Sequence, residues 1–300
     1  MSIQLNVVNW LLKTFERPAL SKIDGPPEGH ARLVRQARLF RDVPGVTYSE
    51  TDLQSDGLSV PTLVVHPKIA RERAALLYLH GGAYAVGSSE THRKLAARIG
   101  QSSDLETYVA NYRLAPAHRF PSAVDDAIAC YKALLERGFN RIAIAGDSAG
   151  GGLSFALLHE ICKRDLPKPV AVVGLSPWTD LTASSPSMTE NDQSEVMLPV
   201  ERFPEIIEQY LGEASPDDPR ASPVFGQFED APPVLIQVSQ KEVLFDDALR
   251  MADRLREFEV EVNVQTWDHA YHVWQTMHDR MPEATEAVEE IIIFLRTQFM

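Results

Sequence analysis

The strongest chemical signal in this 300-residue chain is Gly146-Asp147-Ser148-Ala149-Gly150-Gly151. It follows an apolar run, Arg141 to Ala145, and opens a helical pattern from Ala149 to Arg164. G-x-S-x-G between a strand and a helix is a sharp turn that leaves the serine hydroxyl exposed. The flanking glycines are required because a side chain there would crowd the turn. The helix start sets the Ala149 amide, and the positive end of the helix dipole, beside a carbon under attack. That chemistry is nucleophilic catalysis with Ser148 as the attacking group. A phosphate-binding loop is excluded, since the lysine of that motif is absent.

A serine hydroxyl needs a base to take its proton and an acid to orient the base. For this turn type, acid and then histidine follow the serine along the chain. The histidines downstream are His159, His269, His272 and His278. His159 falls within the helix behind Ser148 and is expected at the surface, pointing away. His269 and His272 share the loop Asp268-His269-Ala270-Tyr271-His272, just past the last strand. His272 is the expected base and His269 its rival. His278 lies further on, near a helix. The acid should sit just beyond Val234 to Val238, where Glu242 is expected and Asp246 is the alternative. Asp246 and Asp247 also suit a helix start, where the dipole favours them. Upstream, His80-Gly81-Gly82-Ala83 directly follows Leu76 to Leu79. Glycines after a strand let bare backbone amides face an oxyanion. His80 would brace that loop rather than act as a second base.

Elements that could position these residues recur from about residue 75 onward. Leu76 to Leu79, Thr107 to Ala110, Arg141 to Ala145, Val170 to Leu175 and Val234 to Val238 read as strands covered on both faces. Val260, Val262 and Val264 alternate with polar residues, as in a strand nearer an edge. Val46 to Thr51 and Val60 to Val65 suggest an antiparallel start, making about eight strands. Helices are expected over Ala123 to Arg137, Ala149 to Arg164, Asp246 to Phe258 and Glu283 to Phe299. The alternation gives an α/β fold with a mostly parallel sheet flanked by helices. Residues 45–300 would form the catalytic domain. Residues 1–44 and 180–230 break the rhythm and are expected to cap the carboxyl end of the sheet. In the first of these, Val8, Leu11, Leu12 and Phe15 set out an amphipathic helix. Trp10, Phe15, Tyr84, Trp178, Met188, Met197 and Phe203 are candidates for the pocket, cap or core.

With these motifs in place, the chain resembles the hormone-sensitive-lipase-like esterases, bacterial family IV, over roughly residues 60–300. The resemblance rests on His80-Gly81-Gly82, on Tyr112-Arg113-Leu114-Ala115-Pro116 with Phe120-Pro121, on the Ser148 motif and on His272. Asp147 looks like the subgroup with GDSAG in place of GTSAG. The resemblance implies an α/β-hydrolase fold with a helical cap and a triad of Ser148, Glu242 and His272. It implies an oxyanion hole from the amides of Gly81, Gly82 and Ala149, with His80 and Asp147 in support. Two departures stand out: Ala83 where the family often has a third glycine, and glutamate where many members carry Asp-Pro-Leu.

The expected activity is a carboxylesterase on short-chain esters, with no metal or organic cofactor. A lactonase or a small-metabolite deacetylase would use the same residues. A ligand-binding protein on a hydrolase scaffold would require loss of a triad member, and all three are present. Net charge of −13 argues against nucleic acid and against an anionic membrane surface. No stretch approaches a membrane span and no signal peptide is recognisable. Two cysteines without metal-ligand spacing read as reduced thiols, so the expected location is cytoplasmic. Because related enzymes often pair, a homodimer is kept as the expected partner beside a small-molecule ester.

Overall fold

Period-two alternation in the central strands decides the architecture. Leu76 and Tyr78 pack in one apolar cluster while Ala75, Leu77 and Leu79 pack in another, so both faces of the sheet are covered. The structure is a computed structural model and describes all residues 1–300. Its eight strands are β1 Thr47–Ser55, β2 Leu58–His66, β3 Ala74–Leu79, β4 Glu106–Ala110, β5 Arg141–Asp147, β6 Ala171–Leu175, β7 Val234–Ser239 and β8 Val262–Trp267. They form one sheet in the order β1-β2-β4-β3-β5-β6-β7-β8. The β1–β2 and β2–β4 pairs are antiparallel and the rest parallel, as the sequence pattern predicts.

The helices are α1 Ile3–Leu11, α2 Arg17–Leu20, α3 Gly25–Ala37, α4 Ser89–Ser103, α5 Ser122–Glu136, α6 Ala149–Lys163, α7 Ser187–Glu190, α8 Phe203–Leu211, α9 Phe245–Arg256 and α10 Pro282–Gln298. Side chains of α4 and α10 cover one face of the sheet, and those of α5, α6 and α9 the other. Helix α4 is polar overall, with few apolar residues to announce it. A reciprocal pair between Ser88 and Thr91 caps its start, and Leu95, Ile99 and their alanine neighbours pack on the sheet. No helix is long and apolar enough to cross a membrane.

The amphipathic pattern of the N-terminal segment resolves differently from its expected face. Leu5, Val8 and Leu12 pack against Tyr271 and Trp274, while Leu11, Phe15 and Trp10 stand exposed. The spacing of Leu5, Val8 and Leu12 puts them on one ordinary helical face that excludes Leu11, and a π-helical turn at Leu12–Glu16 follows, between α1 and α2. Two polar anchors fix this segment. Asn9 Nδ2 donates to His269 O at 2.9 Å, and Ser2 Oγ donates to Glu283 Oε2 at 2.8 Å. Segment 180–230 is tied down by Asp247, which accepts from the amides of Thr179 at 3.0 Å and Asp180 at 2.9 Å. Of the aromatic and methionine candidates, Tyr84, Trp178, Met188 and Phe203 are core residues.

Candidate active site

Ser148 lies at the β5–α6 junction with φ 54° and ψ −123°. This is a sparsely allowed conformation that costs about 1–3 kcal/mol and is characteristic of a nucleophile turn. The surrounding packing enforces it. A Cβ on Gly150 would lie 2.1 Å from Leu79 O, so only glycine lets α6 start this close to the end of β3. The amides of Ser148 and Trp178 are both used, Ser148 N on Leu175 O at 2.8 Å and Trp178 N on Ser148 O at 3.0 Å. Ser148 is half-buried and its side chain has no hydrogen-bond partner in the chain.

His272 is carried past β8 on the loop wedged under α1 and is 3 % exposed. Its Nδ1 meets Glu242 Oε2 at 2.7 Å. Glu242 sits just past β7, 1 % exposed, and its other oxygen accepts from Ser176 Oγ at 2.7 Å and Ser239 N at 2.9 Å. Ser176 Oγ also accepts from Val273 N at 3.2 Å, which ties the acid to the residue after the histidine. Burial opposes a charge on His272, but the Glu242 hydrogen bond and charge, with Glu195 and Asp147 beyond, hold its pKa above the usual histidine value. Ser148 and His272 line one cavity of about 290 Å³.

The competing sequence candidates are placed elsewhere. His269 is exposed, and its carbonyl serves Asn9. Asp246 caps α7, accepting from Ser187 N at 2.7 Å. His159 does point away from the site, but it is buried rather than on the surface. It packs on Phe228, and its Nδ1 accepts from Gln227 N at 3.0 Å. His278 is buried behind the site, and burial lowers its pKa.

The loop after β3 turns sharply at Gly82, φ 121°, where a Cβ would fall 2.2 Å from Val86 O. Ala83 follows at φ 54°, the left-handed region where a glycine would be unstrained. The amides of Gly81, Gly82 and Ala149 donate to no group of the chain. His80 braces this loop from behind. It is fully buried, stacks on Tyr112 with ring centroids 4.3 Å apart, and accepts at its carbonyl from Tyr112 Oη at 2.6 Å. Burial, then the charge of His92, lowers its pKa to about 3, so it is a neutral strut. Asp147 lies between Tyr78 Oη at 2.8 Å and His92 Nε2 at 3.3 Å. Burial alone would raise its pKa, but the His92 charge and hydrogen bonds from His92 and Tyr78 hold it below the usual carboxylate range.

Sequence reading missed Ser176, His92 and Glu195. Each meets a partner on another element, from 48 positions away for Glu195 and Val243 to 97 for Ser176 and Val273, and none stands in a local motif that could have signalled it. Met197 lines the cavity, as the sequence allows; it is joined there by Leu198, Pro199 and Ile206 of segment 180–230, by Leu20, Ile23 and Leu33 of the N-terminal segment, and by Ala83, Val86 and Tyr271.

Known proteins share the chain's sequence pattern and fold. Residues 76–276 match the model of an α/β-hydrolase fold family. An acetyl-hydrolase of Streptomyces hygroscopicus is 40% identical over 224 residues, covering 74% of this chain and 75% of that protein. An ethyl acetate hydrolase of Pseudomonas putida is 31% identical over 249 residues, covering 79% and 78%. The crystal structure of an esterase from the bacterial hormone-sensitive lipase family superposes with a TM-score of 0.93 at 33% identity, covering 100% of this chain and 99% of that one.

Proposed function

The chain belongs to the α/β-hydrolase family, in its hormone-sensitive-lipase-like branch, and we propose that Ser148, His272 and Glu242 make it a carboxylesterase of short-chain acyl esters. The observation that carries this reading is the 2.7 Å contact of His272 Nδ1 with the buried Glu242, in the wall of the cavity onto which Ser148 opens. With Nδ1–H committed to Glu242, Nε2 is the nitrogen left to take the Ser148 proton. Oγ then bonds to the ester carbonyl carbon, and the carbonyl oxygen gathers negative charge. The unpaired amides of Gly81, Gly82 and Ala149 are placed to receive it. Collapse of this intermediate breaks the bond to the alcohol, which leaves with the proton from His272. Water, deprotonated by His272, repeats the sequence on the acyl-enzyme and frees the acid. The balance closes without a redox partner.

A cavity of about 290 Å³ supports a small acyl group, since it is at the low end of ligand pockets, roughly 300–1,000 Å³. Residues 1–44 and 180–230, which supply much of its wall, act as the cap in this reading. Hydrolysis of p-nitrophenyl esters is expected to be fastest from acetate to hexanoate and to fall steeply toward palmitate. Equal rates on palmitate would overturn the short-chain assignment. No rate on any of them, with Ser148 still labelled by a fluorophosphonate, would turn the reading toward lactones.

The two cysteines, Cys130 and Cys162, are unpaired, which supports a reducing compartment such as the cytoplasm. Pairing of two copies belongs to the same reading. It is supported by Ile3, Val7, Trp10, Leu11 and Phe15, an exposed apolar face on the N-terminal segment. Sedimentation velocity is expected to show a species of twice the chain mass, and single chains alone at micromolar concentration would remove this element.

A further inference from the structure

Glu195 is a buried carboxylate that the triad chemistry leaves without a role. It is 1 % exposed, and no cation lies within ion-pair distance of it. Its partners are backbone amides. Oε1 accepts from Met197 N at 2.8 Å and Leu198 N at 3.2 Å, and Oε2 accepts from Val243 N at 3.2 Å. The two ends of this bridge differ in kind. Met197 and Leu198 are wall residues of the cavity at Ser148, whereas Val243 directly follows Glu242. Two neighbours reinforce the same junction: Asn191 Nδ2 donates to Glu242 O at 2.8 Å, and Ser194 Oγ donates to Lys241 O at 3.1 Å. A carboxylate without a counter-ion is expensive to bury. A merely structural joint between two loops could be made by an amide or a hydroxyl.

We propose that Glu195 is a positioning residue of the ester hydrolase: it holds the Met197–Leu198 wall of the substrate cavity in register with the catalytic carboxylate and sets a second negative charge behind His272. The proposal rests on the triad reading above. Glu195 and Glu242 share the lining of a second cavity, about 240 Å³, beneath α1 and on the side of the triad away from Ser148. The charged and titratable groups facing that cavity are Lys241, His269, Tyr271 and the chain's amino terminus at Met1, with Glu242 itself. Arg17 reaches the backbone carbonyl of Glu195 at 2.9 Å, and His272 and Asp147 lie beyond Glu242. Burial, then the charge of Glu242, pushes Glu195 above the usual carboxylate range, against His272 and the Met197 and Leu198 amides. Its charge in turn helps hold His272 above the ordinary histidine value.

The sign follows. Catalysis needs neutral His272, so activity rises with pH through its pKa, and removing a nearby negative charge lowers that pKa. The test compares the full-length wild type with Glu195→Gln and Glu195→Asp, with rates scaled to fluorophosphonate-labelled Ser148. Expected for Glu195→Gln are an acid limb of kcat/KM at lower pH and a several-fold rise in KM for p-nitrophenyl butyrate, with a smaller change in kcat on the plateau. Glu195→Asp keeps the charge and shortens the reach, so it should keep the wild-type limb and still raise KM. An unmoved limb in Glu195→Gln overturns the electrostatic half, and a wild-type KM in both variants overturns the positioning half. If Glu195→Gln does not accumulate, Glu195→Asp decides: a wild-type KM there overturns the proposal. Absence of Ser148 labelling in the wild type would instead overturn the triad reading beneath it.

Discussion

Ser148→Ala is expected to lower turnover of p-nitrophenyl butyrate by on the order of 10⁴-fold or more while the protein keeps its thermal stability. The size follows from the role: with no nucleophile, only the binding and oxyanion contributions remain, and triad members fail as a unit. The neutral effect on stability follows from the surroundings. The Ser148 side chain is without a partner in the chain, and the contacts that enforce its φ of 54° are made by its backbone and by Gly150, which alanine leaves unchanged. Fluorophosphonate labelling should vanish in parallel. Turnover within about tenfold of wild type in a preparation free of host esterases would remove Ser148 from the mechanism.

Glu242→Gln is expected to cost kcat/KM about 10³–10⁴-fold, the scale of losing the orienting carboxylate in a Ser-His-acid site. The amide can keep one acceptor for Ser176 Oγ and Ser239 N, but its nitrogen would then face His272 Nδ1, where a donor already stands. The imidazole must turn or change tautomer, and Nε2 no longer presents a lone pair to Ser148. The same change should reshape the pH profile. Because the Glu242 hydrogen bond and charge outweigh burial in raising His272, the residual activity should lose its acid limb at lower pH than the wild type. Asp246→Asn, at the cap of α7, is the control and should leave the limb in place. A wild-type limb and rate in Glu242→Gln would take the acid role from Glu242.

The two substitutions separate what the local turn does from what long-range packing does. Ser148 is presented by an arrangement contained in a few consecutive residues, and its motif is legible because steric crowding at a strand–helix junction is a local constraint. The glycines of Gly81-Gly82 are legible for the same reason, as a strand must end there without side chains in the way. The strands are legible because burial on both faces leaves little room for polar residues: Leu76–Leu79 holds none but Tyr78, and Val234–Val238 holds only Gln237. The order of residues after Ser148 narrowed the acid to Glu242 or Asp246 and the base to His272 or His269. One loop or turn separates each pair, and at that range sequence spacing has no resolving power.

What the sequence by itself determined, then, is the α/β-hydrolase scaffold, the placement of Ser148 on a sharp strand–helix turn, and short lists of candidate acids and bases. Only the tertiary structure separated Asp246, at a helix cap, from Glu242, against His272, because that contact joins the ends of β7 and β8 through Ser176, just past the end of β6. It alone showed α4, whose start is fixed by a cap and whose apolar side chains are few. It alone showed which face of the N-terminal segment turns inward, with Leu5, Val8 and Leu12 packed and Leu11 and Phe15 exposed. It alone brought Glu195 to Val243 and His92 to Asp147. The physical reason is common to all four. Local sterics and hydrophobic period are written in neighbouring residues, whereas the partner of a buried polar group is chosen by which elements the whole fold presses together.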